Sequence, residues 1–184
     1  MSPNNYTELN FEEHIETELL NSGYIKVDKK FYDKSLCLIP SQLIEFIQET
    51  QPKRYKKLTE QHGDNINTKL TKRISDQIES KGVIEVLRKG VKDRGSHFDL
   101  VYFQPKSGLN PEHQDLYKKN RFIEVRQVYY SNRNENSIDM GIFINGIPIM
   151  MLELKNSLTG QNHTHGIKQW KFDRDPKESL FKFK

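Results

Sequence analysis

An Asn-Gly pair at positions 145–146 divides the apolar stretch SIDMGIFINGIPIMMLELKN, Ser137 to Asn156, and constrains this chain more than any other feature. Asn-Gly between apolar runs is a strong local signal for a β-hairpin, because both residues accept the positive φ that a tight turn needs. The runs are oily enough for a protein interior, yet they carry Asp139, Glu153 and Lys155. Strand alternation places Ile147, Ile149, Met151, Glu153 and Lys155 on one face, and Pro148, Met150, Leu152 and Leu154 on the other. Both faces are apolar. That predicts a central, covered strand with Glu153 and Lys155 together at one end of a buried face.

Asp139 shares its face with Gly141 and Phe143, and whether it meets Glu153 depends on the turn. A two-residue Asn145-Gly146 loop pairs Ile144 with Ile147, so that Asp139 opposes Leu152 and points away from Glu153. A three-residue loop with Gly146 as a left-handed bulge pairs Phe143 with Ile147 instead. Asp139 then opposes Met151, with Glu153 as its diagonal neighbour at roughly 7–8 Å. A functional pair therefore predicts a bulged hairpin. A tight turn with no bulge further along counts against it.

Two carboxylates about 4 Å apart repel by roughly 4 kcal/mol at a protein-like dielectric, so they need a cation or a shared proton. Lys155 offers one positive charge; a hard divalent ion offers two, and Mg²⁺ characteristically uses one or two carboxylates and keeps several waters. Such an ion polarises a phosphoryl oxygen and activates water, while a neighbouring lysine stabilises developing charge. That combination suits phosphodiester cleavage. An isolated Asp at a strand end plus a surface Glu–Lys pair would give the same residues without chemistry; the hairpin and its apolar flanks favour the chemical reading.

The rest of the chain supplies an α+β frame. Thr7 or Asn10 can cap a helix over Phe11–Asn21, with Phe11, Ile15, Leu19 and Leu20 at helical spacing and Gly23 beyond its end. YIKV is extended. Pro40-Ser41 opens a second helix that Pro52 breaks, and basic amphipathic helices follow over Lys53–Gln61 and Ile66–Ser80, then a turn or two over Val83–Arg88. Beyond Gly90 the hydrophobic period shortens to two: strands are expected over His97–Gln104 and Arg121–Tyr130, then the hairpin, then a helix near Gly160–Phe172. The expected domain is thus a single one over residues 1–184: helices at 11–90, a mainly antiparallel sheet core at 97–156, and a covering helix at 160–172.

No run of about 18 apolar residues exists for a membrane span, and the polar, acidic stretch MSPNNYTELNFEEH does not follow the basic-then-apolar pattern expected of a signal peptide. Cys37 is the only cysteine, which removes disulfide and cysteine–zinc frameworks and suits a cytoplasmic home. Net charge is +4, with clusters at Lys53, Arg54, Lys56, Lys57, Lys69, Lys72 and Arg73 and at Arg88, Lys89, Lys92 and Arg94. These fit either solvated helix faces or a phosphate-binding surface. Arg121, Arg126 and Arg133 flank the strands and fit either phosphate contacts or satisfied structural arginines. His163-Thr164-His165 is a poor metal pair, since i and i+2 do not face one another on a helix.

Asp139 followed by Glu153-Leu154-Lys155 resembles the PD-(D/E)XK nuclease signature. More specifically, RQVYYSNRNENSIDMGIFINGIPIMMLELKNSLTGQ and IKQWKFDRDPKESLF resemble the N-terminal nuclease region of the R (restriction) subunits of type I restriction-modification enzymes. TELNFEEHIETELLNSGY and RGSHFDLVYFQPKSGLNPEHQDLYKKNRF are similar to the same family's first helix and middle. The resemblance implies a restriction-endonuclease-like core, Asp139 and Glu153 as metal-binding carboxylates, Lys155 as the catalytic lysine, and Glu8 or Glu12 as an acidic position on the first helix. Gln169 falls where the family carries Gln-x-x-x-Tyr and is by that resemblance a candidate DNA or active-site contact, but Asp173 replaces the tyrosine. It further implies Mg²⁺, with Mn²⁺ able to substitute, double-stranded DNA as substrate, and methylation and specificity subunits as partners. ATP would act only through motor domains beyond this fragment, because the chain has no Gly-x-x-x-x-Gly-Lys-Ser/Thr loop. The alternatives are a catalytically inactive nuclease-like module that docks or clamps DNA, and a free-standing metal-dependent nuclease.

Overall fold

A computed structural model describes residues 8–155 and 163–183. Helix α1 spans Glu8–Asn21 and the chain then turns at Gly23, with φ 90°, into the short strand β1, Ile25–Lys26. Helices α2 (Pro40–Thr50), α3 (Pro52–His62), α4 (Ile66–Lys81) and α5 (Val83–Lys89) follow. Each of the first two begins with proline in its first turn, where the missing N–H costs nothing. Leu43, Phe46, Ile47, Leu58, Leu70, Ile74 and Ile78 bury the inner stripes of α2, α3 and α4 in one core with Phe98 and Ile147. The every-fourth-residue pattern of α4 is therefore a packing pattern, and its lysines and arginine stay outside.

The main sheet has the order β1–β4–β5–β6, where β4 is Phe122–Tyr129, β5 is Ser137–Ile144 and β6 is Ile147–Leu152. β1 runs parallel to β4, and the other pairs are antiparallel. The class is α+β with a mixed, mainly antiparallel sheet flanked by helices, consistent with a nuclease-like core. Ile123, Val125, Val128 and Phe143 pack on one side of the sheet against Val27, Tyr32 and Ile39. Cys37, Tyr130, Ile138 and Leu180 form a third cluster, with Trp170 and Phe181 against it.

Three expectations change. The strand expected over His97–Gln104 is confined to β3, Ser96–Phe98, which pairs only with β2, Val91–Asp93, in a separate ribbon. Leu100 and Val101 are buried without sheet pairing, so apolar alternation there reflected a buried connection. The main sheet accordingly draws on residues 25–26 and 122–152. Second, β6 is an edge strand among the described residues, not a central one, and Ile149 and Met150 are exposed. Third, the buried face of α1 carries Glu12 and Glu16, while Phe11 and Leu20 remain more than a third exposed. Helix α6, Pro111–Lys118, lies between the segments expected as strands over His97–Gln104 and Arg121–Tyr130. The covering helix is α7, His163–Lys168, widening into a π turn at Gln169–Asp173, with α8, Ser179–Lys182, beyond. The start of the helix expected from Gly160, and Thr7 as a cap, fall outside the described residues.

Candidate active site

The hairpin resolves the turn question in a way that neither simple register anticipated. Asn145 and Gly146 form a two-residue turn, both with positive φ (51° and 83°), and Ile144 pairs with Ile147. This is the tight turn that would point Asp139 away from Glu153. A bulge then intervenes: Phe143 pairs with Pro148, but Ile142 pairs with Met150, leaving Ile149 as the extra residue. Past the bulge Gly141 faces Met151 and Met140 faces Leu152. That register aligns Asp139 with Glu153 on one face. The alternation of β6 is broken by the same bulge, so Glu153 shares its face with Met151 and Pro148 and not with Ile147.

The turn is fixed by its surroundings. Asn145 is fully buried; its side-chain oxygen accepts from Arg121 N at 2.7 Å, and its amide nitrogen donates to Leu100 O at 2.9 Å. Gly146 O accepts from Ile39 N at 2.8 Å, at the entry to α2.

At the open end of the hairpin, Asp139 Oδ2 accepts from Leu154 N at 2.7 Å. Glu153 is held by two cations: Lys155 Nζ donates to Oε1 at 3.0 Å and Arg174 Nη2 donates to Oε2. The side chains of Glu153 and Arg174 are almost fully buried, while Asp139 keeps partial exposure. Burial pushes the Asp139 carboxyl up to about 6; the Leu154 amide works against this, and the charges of Glu153 and Glu12 add to it. Buried carboxylates raised in this way lack a sufficient counter-charge.

Glu12 comes from α1 to the same region. It accepts from Arg126 Nη2 at 3.0 Å, and Gln127 Nε2 lies 3.4 Å from both of its oxygens. Gln127 has φ 52°, a left-handed conformation uncommon for glutamine, and stands at the β4 position across from Asp139 in the register. Its Oε1 accepts from Ser137 Oγ at 3.1 Å. Strained polar residues of this kind concentrate at functional sites. A second acidic pair lies alongside: buried Glu124 meets Glu16, which is paired with Lys26 and with Arg126.

Of the residues singled out in the sequence, Asp139, Glu153 and Lys155 are brought together, and Glu12 lies close enough to raise Asp139. Gln169 is half-buried in the π turn, and the guanidinium of Arg174, five residues on, reaches Glu153. Glu8 opens α1, but its side chain is outside what is described. Arg121 is committed to Glu45 and Glu49, Arg126 to Glu12 and Glu16, and Arg133 to Asp175. Among the described residues no cluster of three or more His, Cys, Asp or Glu is arranged to hold a metal, the acids at Asp139, Glu153 and Glu12 included. Arg174 was not legible as a site residue, because DRD reads as an ordinary charged turn 35 positions from Asp139. Gln127 and Glu16 gave no sequence signal beyond their place in the resemblance, and Glu124 gave none.

The fold and the site together describe an α+β domain that sets paired acids and a lysine at the end of a sheet hairpin. Residues 5–184 match the family described as the type I restriction enzyme R protein N terminus, and the chain belongs to that family. Comparison with curated proteins and with solved structures gives no match. Membership makes this an R-subunit N-terminal region, belonging to a DNA-acting complex with other subunits. No helix among the described residues is long and apolar enough to cross a membrane.

Proposed function

We propose that this chain is a Mg²⁺-dependent endonuclease domain that hydrolyses phosphodiesters of double-stranded DNA within a type I restriction enzyme. The single observation that carries the reading is the bulge at Ile149, which aligns Asp139 with Glu153 on one face and leaves Lys155 bonded to the same carboxylate. The donor set suits a hard ion: two carboxylates with no thiolate, the remaining positions left to water. Mn²⁺ would fit the same oxygens. Asp139 and Glu153 would hold the ion, which when bound supplies charge for a phosphoryl oxygen and activates water.

The remaining work belongs to the chain. Lys155, bonded to Glu153, would orient the attacking water and stabilise negative charge as it develops on the phosphate. The Leu154 amide holds the Asp139 carboxylate in position, and Arg126 together with Gln127 holds Glu12 where its charge reaches Asp139. The methylation and specificity subunits would choose the DNA, and ATP would be used by motor domains outside this chain.

The test is cleavage of supercoiled plasmid with Mg²⁺ by the assembled enzyme. Asp139→Ala, Glu153→Ala and Lys155→Ala should each lower cutting by at least about 100-fold while ATP-driven translocation continues. If all three variants still restrict DNA, the assignment is wrong. The second reading, a nuclease-like module that docks or clamps without cutting, has one point in its favour: both oxygens of Glu153 are already satisfied by internal cations. It would be supported by a chain that binds DNA yet neither binds Mn²⁺ nor supports cleavage.

A further inference from the structure

The two cations on Glu153 differ in how they are held. Lys155 reaches Oε1 through a flexible four-carbon stem. Arg174 is enclosed: its guanidinium lies 5.2 Å from the Tyr130 ring centroid and 4.8 Å from that of Trp170. Its Nη1 donates to Ser137 O at 3.2 Å, and its side chain is 4% exposed. Stacking on two rings with a carbonyl at the edge matches the planar guanidinium and would not suit an ammonium. Removing such a cation from its carboxylate would leave both buried and unpaired, which is strongly unfavourable. Arg174 therefore stays on Oε2, and an incoming ion would compete with Lys155 for Oε1.

We infer that Arg174 is a positioning residue that permanently occupies one oxygen of Glu153, so that the site accepts one divalent ion, held by Asp139 and the other oxygen of Glu153. This rests on the nuclease reading above and specifies its metal stoichiometry. The charge balance agrees. Asp139 and Glu153 carry two negative charges, Arg174 already offsets one, and Glu12 is committed to Arg126. A second divalent ion beside Arg174 would face a fixed positive charge at short range, with the nearest oxygen of Glu153 already taken.

The experiment is titration of the 184-residue chain with Mn²⁺ by calorimetry, with electron paramagnetic resonance to detect spin coupling between neighbouring ions. One Mn²⁺ per chain and no coupled pair are expected, and Asp139→Asn should abolish the binding. Arg174→Gln should bind Mn²⁺ roughly tenfold tighter, because a neighbouring positive charge has gone, while cleavage falls. Arg174→Lys, which keeps the charge but loses the stacking, should lie between the two. A purely structural arginine would instead weaken binding and cleavage together. Two coupled ions in the unaltered chain, or weaker binding by a folded Arg174→Gln, overturns the inference and leaves the nuclease reading standing. No Mn²⁺ binding by the unaltered chain overturns both.

Discussion

Gly146 shows how one residue governs the site from the far end of the hairpin. A methyl group there would stand 2.5 Å from Ile39 O and 3.0 Å from Leu43 N, and φ is 83°. Both obstacles are backbone atoms, at the entry to α2 and within its first turn, so neither can swing aside. Gly146→Ala should destabilise the chain by at least about 2 kcal/mol, seen as a lower urea midpoint with unchanged m. A midpoint shift of a few tenths of a kcal/mol would mean that the turn is looser than the contact with α2 indicates. Gly141 is a second tight point, because a Cβ would meet the Phe143 ring at 2.7 Å and Val128 Cγ2 at 2.9 Å. Neighbouring a large aromatic on its own face, it is the small residue that lets Phe143 lie along the sheet toward Asp139.

At the scale of elements, the contact between α1 and β4 is unusual in being built from acids. Burial, and then the Glu16 carboxylate beside it, push Glu124 up to about 7. Burial opposes ionisation of Glu16 too, but its bond to Lys26 prevails and its pKa is lowered. For Glu124 the folded value lies above the unfolded one of 4.5, so the native state holds an extra proton between about pH 4.5 and 7. Its contribution to stability is present below that window and lost as pH rises through it. Glu16 acts oppositely, its share being lost as pH falls. Glu124→Gln should therefore flatten the fall in stability between pH 5 and 8 and raise stability at pH 8 by on the order of 1 kcal/mol. Urea unfolding at several pH values measures this, and an unchanged slope would rule out a proton on Glu124.

This contact also marks the limit of what was legible in the sequence. The helices were readable because Pro40 and Pro52 bound α2, and Ile66, Leu70, Ile74 and Ile78 recur every four residues along α4. The hairpin was readable from Asn145-Gly146. The bulge was not: IPIMML is apolar on both faces, and register is specified only where the two faces differ. The same ambiguity made an edge strand look central. For α1, Phe11 and Leu20 suggested an apolar inner face, whereas Arg126 and Lys26, distant in sequence, supply the charges that let Glu12 and Glu16 turn inward. Pairing partners that far apart leave no local trace.

For the molecule as a whole, the site is a junction of segments that are otherwise joined mainly through the sheet. Glu12 arrives on α1, Asp139 on β5, Glu153 and Lys155 at the end of β6, and Arg174 after the π turn, backed by the Tyr130–Phe181 and Trp170–Phe181 ring contacts. An ion that binds Asp139 and Glu153 in the native chain has no such pair of acids to bind in the unfolded one, where 13 residues separate them without a hairpin to bring them together. Binding must then raise global stability by mass action. At a Mn²⁺ concentration about 100 times its dissociation constant the gain is about 2.7 kcal/mol. For a domain of this size that corresponds to a rise in Tm of roughly 5–10 °C. Because Asp139 is the acid left raised and under-compensated, Asp139→Asn should remove the rise while leaving the ion-free Tm equal or higher. Thermal unfolding followed by circular dichroism with and without Mn²⁺ makes the comparison. An equal rise in both proteins would place the bound ion elsewhere, on the surface acids and not at the end of the hairpin.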